Sequence, residues 1–133
     1  MKTKLVLGIA ALGMVLASVP ATAHHSFAAE FDSTKPIKLV GSVTKIEWMN
    51  PHAYFYIDVK DEKTGQMTNW GLEMGSPNGL MRQGWTRNSM KIGDMVTVEG
   101  SAAKDGSSIG NARSVTLTGG QRLFAGSSQQ TNP

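Results

Sequence analysis

The chain has 133 residues, 40% of them hydrophobic and 17% charged, with no cysteine and a formal net charge of +3 at neutral pH. That length allows one small domain and no second. The lack of cysteine excludes disulfide staples, thiol catalysis and a lipid-carrying cysteine at a cleavage site.

The first element reads as an export signal. Lys2 and Lys4 precede an apolar run over residues 5–19, and Ala21-Thr22-Ala23 supplies the small residues of a cleavage site, so residues 1–23 are expected to be removed. The run is short and interrupted by Gly8 and Gly13, unlike a membrane span, and no later run is long enough to be one. The expected product is a periplasmic or secreted protein with no membrane segment after cleavage. The signal carries two lysines and no acid, so the mature chain falls to +1. Duplex nucleic acid, which requires a clustered basic stripe, is therefore excluded as a partner.

Residues 24–36 form a polar arm in which Phe27 and Phe31 are spaced for one helical turn, although an extended arm fits equally. From Pro36 the pattern becomes strand-like, with Ile37, Leu39, Gly41 and Val43 on one face and Ile46 and Trp48 on the other parity. A bulge near Thr44 and Lys45 reconciles the two. Asn50-Pro51 marks a turn, and residues 53–59 alternate Phe55, Ile57 and Val59 with Tyr54, Tyr56 and Asp58 as a second strand. A charged hairpin loop over 60–66 leads to a third strand over 67–74 through Trp70, Leu72 and Met74.

Ser76-Pro77 predicts an N-cap and first helical residue, opening a short helix over Leu80 and Met81. Thr86 caps a further turn to Met90. Gly93-Asp94 then turns into a fourth strand over 95–99, and a loop over 104–107 leads to a fifth over 112–117. The Gly-, Ser- and Gln-rich residues 119–133 are expected to form a flexible tail. Three strands, a helix and two strands predict an all-β domain over 37–118, a five-stranded OB-like Greek-key barrel. An open sandwich or another small barrel is the rival.

The histidines carry the chemistry. Cleavage after Ala23 would make His24 the N-terminus, pairing a free amine with an imidazole, and copper(II) favours tetragonal nitrogen donors of this kind. His52, in the Asn50-Pro51-His52 turn, would complete a three-nitrogen histidine brace. His25 is an alternate ligand, and Glu30 or Asp32 an axial oxygen. Cleavage after Ala21 would instead place His24 third in the chain, a position that also chelates copper(II) or nickel(II). Solvated histidines with no role are the competing reading. The six mature methionines, Met49, Met67, Met74, Met81, Met90 and Met95, are dispersed and read as core filler, with Met49 alone close in sequence to His52.

No nucleophile motif and no phosphate loop is present, so the chain reads as non-enzymatic, and Asp58, Asp61, Glu62, Glu47 and Glu73 read as solvated charges. The alternative to metal is an OB-type module that binds a small ligand, glycan or protein partner through an aromatic face of Tyr54, Tyr56, Trp48 and Trp70. Burial of the tryptophans in the core competes with that reading.

The segments AHHSFAAEFD (23–32), GSVTKIEWMNPHAYFYIDV (41–59), GSPNGLMRQGWTRNSMKIGD (75–94), VEG (98–100), NARSVTL (111–117) and QRLFAGSS together resemble a family of small exported Gram-negative bacterial proteins of unknown function. The resemblance covers nearly the whole mature chain. It implies a periplasmic location and brings no activity or catalytic residue with it. The family's His-His-Ser-Phe start and Asn-Pro-His turn match His24, His25 and His52.

Overall fold

The computed structural model describes residues 27–127. His24, His25, the expected cleavage site and the last residues of the tail lie outside them. In chain order the elements are α1 (Phe27–Glu30), β1 (Phe31–Glu47), β2 (Tyr54–Lys60), β3 (Met67–Glu73), α2 (Pro77–Arg82), β4 (Met95–Ala103), β5 (Ile109–Thr116) and β6 (Arg122–Phe124). The strands are ordered β3-β2-β1-β4-β5-β6, and β3 also pairs in parallel with β5, where Gly71, Leu72 and Glu73 face Ile109, Gly110 and Asn111. Five strands thus close into a ring with α2 between the third and fourth. This is the OB-like barrel predicted from the element order.

β1 serves both halves of the ring because it bends. Its first part pairs with β4 and its last part with β2, with a register shift between Val43 and Lys45. Gly41 sits where both neighbours meet, and a Cβ there would lie 2.5 Å from the Asp58 carbonyl oxygen, so the crossing requires glycine. The shift flips the parity as expected, with Val43 buried before it and Ile46, opposite Phe55, packed on the core after it.

Alternation on β2 buries Phe55 and Ile57 and turns Tyr54, Tyr56 and Asp58 to the outer face. Leu72, Val96, Val98, Ala112 and Val115 fill the interior from the other strands, with Met74 just after β3. α2 forms where expected: the Ser76 side chain accepts from the Gly79 N–H, Pro77 opens the helix, and Leu80 enters the core. No helix among the described residues is long and apolar enough to cross a membrane.

β4 runs on to Ala103 and β5 starts at Ile109, both longer than expected, and the two ends of the domain also differ from expectation. β1 starts at Phe31, not at Pro36, so most of the expected arm is a helical turn running directly into a strand. Phe31 is buried, pairs with Ala103, and has its ring 5.6 Å from that of Phe27. At the other end, part of the expected tail is β6, paired with β5. Leu123 and Ala125 join the core, and the Trp85 indole N–H donates to the Phe124 carbonyl at 2.8 Å. The ordered domain therefore extends well beyond 37–118 at both ends.

Candidate functional site

The outer face of β2 and β3 carries two cross-strand rows. In one, Glu47, Tyr54, Glu73 and Asn111 are successive partners; in the other, Lys45, Tyr56, Gly71 and Ile109 are. Just before β2, Ala53 continues the ladder, donating to the Gly75 carbonyl and accepting from the Met74 N–H. The chain at His52 is therefore already nearly in register with the strand. Side chains two apart share a face, so His52 and Tyr54 both point outward, beside Glu73 of the neighbouring strand.

Glu73 joins them. Its Oε1 lies 2.8 Å from His52 Nδ1, and its Oε2 accepts the Tyr54 hydroxyl at 3.0 Å. The glutamate is only 8% exposed, and these two donors help to satisfy a carboxylate that would be costly to bury alone. Burial, followed by the charge of Glu73 and its hydrogen bond, pushes the Tyr54 phenol well above its ordinary pKa. The His52 side chain is 32% exposed, and its Nε2 has no hydrogen-bond partner among the described residues. The preceding Asn50-Pro51 peptide bond is cis.

Tyr54 and Glu73 also form one wall of a cleft of about 370 Å³. Glu30 and Phe31, at the junction of α1 and β1, also line it, together with Lys104 after β4 and Ile109 at the start of β5. The volume lies within the range of small-molecule sites. The end of α1 thus lines the same cleft as Glu73, which contacts His52.

Among the described residues no three His, Cys, Asp or Glu side chains converge, and the other two histidines lie outside them. Glu30 lines the cleft, whereas Asp32 is engaged in its own turn, accepting from the Thr34 N–H and hydroxyl. Met49 is half exposed in the loop before His52.

The expected aromatic face is divided. Tyr54 and Tyr56 are outside, but Trp48 and Trp70 pack against the interior cluster. Tyr56 lies over Gly71, its hydroxyl is 3.4 Å from Glu47, and Lys45 Nζ sits 5.3 Å from its ring centroid. The stacking surface a flat ligand would use on Tyr56 therefore carries a lysine. The acids read as one solvated set are also dispersed. Asp58 accepts from Asn69, Asp61 from the Lys63 and Thr64 N–H groups, and Glu47 pairs with Lys45. Glu73 alone among them is buried, a role visible only once register places it opposite Tyr54.

Residues 11–113 match the family model DUF6152, a family of unknown function. The chain belongs to that family. No curated protein matches it. Among solved structures, the mitochondrial single-stranded DNA-binding protein Rim1 from S. cerevisiae is similar with 14% identity and a TM-score of 0.49, over 62% of this chain and 92% of that one.

Proposed function

We propose that this is an exported, non-enzymatic binding protein of the OB type that holds copper(II) between its mature N-terminus and His52. The observation that supports this most directly is the state of the His52 ring. Nδ1 is engaged by a carboxylate, and Nε2 is the nitrogen left for a ligand. Metal-binding histidines characteristically have their second nitrogen held in this way.

The arm supplies the remaining donors. His24 precedes α1 by three residues, a span of about 10 Å when extended, and α1 ends at Glu30 on the cleft wall shared with Tyr54 and Glu73. The amine and ring of His24 with His52 Nε2 make a nitrogen set suited to copper(II). His25 stands as the alternate ligand and Glu30 as the axial oxygen. A periplasmic or secreted location follows from the cleavage that frees the amine.

The test begins with the exported, processed protein. Intact mass should show cleavage before His24, and competition with a chelator of known affinity should show one copper(II) bound with a submicromolar Kd. His24→Ala and His52→Ala should each weaken binding by about tenfold or more. Binding that is micromolar or weaker, and unchanged by His24→Ala, overturns the assignment.

A second reading, a metal-free module, is favoured by the cleft itself, whose wall includes Tyr54. A small organic ligand or glycan that raises the melting temperature with chelator present, and loses that effect in Tyr54→Ala, would establish it.

A further inference from the structure

We propose that Glu73 is the positioning residue of the copper site, selecting which nitrogen of His52 meets the metal, and that Tyr54 holds Glu73 in place. The inference rests on the copper reading above and names the residues that make His52 competent.

An ionised carboxylate only accepts hydrogen bonds, so the 2.8 Å contact between Glu73 Oε1 and His52 Nδ1 requires a hydrogen on Nδ1. A neutral ring then carries its lone pair on Nε2, facing away from Glu73. Oε2 is occupied by the Tyr54 hydroxyl at 3.0 Å. Each oxygen has its own donor, which resists rotation of the carboxylate away from the ring. Glu73 and Tyr54 are direct cross-strand partners, so the backbone ladder sets this arrangement. The negative charge also strengthens the ring as a ligand, and such carboxylates typically contribute about 10–100-fold to metal affinity.

Glutamine at this position separates positioning from folding. Its side chain has the same shape and can still hydrogen-bond both neighbours, but it accepts at one end and donates at the other. It therefore serves either tautomer of His52 and enforces neither. The metal-free protein, labelled with 15N-histidine and held at a pH where the ring is neutral, should show His52 as the Nδ1–H tautomer by long-range 1H–15N correlation. Glu73→Gln should give a mixture, with the melting temperature little changed.

Titrated with copper(II) alone, Glu73→Gln should bind about 10–100-fold more weakly, with a changed electron paramagnetic resonance hyperfine splitting. Tyr54→Phe should show the same changes on a smaller scale. Glu73→Ala provides a second measurement if the glutamine variant folds poorly. If the wild type binds copper tightly while Glu73→Gln keeps the same affinity, tautomer and spectrum, the positioning role is overturned and the metal site stands. If the wild type holds His52 as Nδ1–H yet binds no copper, the metal site is overturned instead.

Discussion

Trp85 donates its indole N–H to the carbonyl of Phe124 at 2.8 Å, joining the turn after α2 to the last strand. Trp85 is nearly fully buried, and the strand it holds brings Leu123 and Ala125 into the core. Trp85→Phe keeps an aromatic ring but leaves the carbonyl without its donor. The expected cost is about 1–3 kcal/mol, read as a lower urea midpoint at unchanged slope.

Gly100 sits at the register shift between β4 and β5, where a Cβ would collide with the backbone carbonyl of Asn111. Neither strand can retreat without disturbing the ring. Gly100→Ala should cost at least about 3 kcal/mol, at the upper end for overpacking. Gly119→Ala, with open space around it, should change stability by less than about 0.5 kcal/mol. Equilibrium unfolding of the two variants side by side checks both values.

Tyr54 gives the protein an alkaline limit. In the unfolded chain the phenol ionises near pH 10, whereas in the folded protein burial and the neighbouring Glu73 charge keep it protonated to higher pH. Above about pH 10 the unfolded state therefore binds fewer protons than the folded one, and stability falls as pH rises until the folded phenol also ionises. Urea unfolding between pH 8 and about 11.5 should show this decline, and Tyr54→Phe should flatten it.

Surface turns add a sensitivity to acid. Asp32, Asp61 and Asp105 each accept from groups two or three residues onward, and each carboxyl is held below its ordinary pKa. The leading cause is the Thr34 side chain for Asp32, the Thr64 N–H for Asp61 and the Ser107 side chain for Asp105. Their stabilisation is present above the unfolded carboxylate value near 3.8 and is lost as pH falls through the lower folded values. Asparagine keeps these turns without titrating, so the triple Asp→Asn variant should lose less stability between pH 4 and 2 than the wild type.

What the sequence revealed was local and periodic. The alternation of β2, the parity switch around Thr44 and the Ser76-Pro77 cap are each written within a few residues, and each lies where expected. β6 and the early start of β1 were not legible, because Phe31 and Leu123 are isolated apolar residues in polar or glycine-rich surroundings. Only pairing with Ala103 and Val115 makes strands of them. The candidate site divides the same way. His52 was identifiable as the sole histidine beyond the N-terminal pair, but Glu73 was one strand-end acid among several. Its contacts to His52 and Tyr54 depend on a register that brings together residues some twenty apart in sequence.

The closure of β3 onto β5 bears on how the protein behaves in company. β1 to β5 each have a strand on both sides, and β5 gives its first residues to β3 and its last to β6. Among the described residues the remaining one-sided stretches are β6, only three residues long, the part of β1 before Gly41, paired with β4 alone, and the part of β3 before Gly71, paired with β2 alone. Where the ring is closed, backbone groups that would otherwise template a neighbouring chain are spent within the molecule. Strand addition by a second chain is therefore confined to the one-sided stretches, the first parts of β1 and β3 and the short β6.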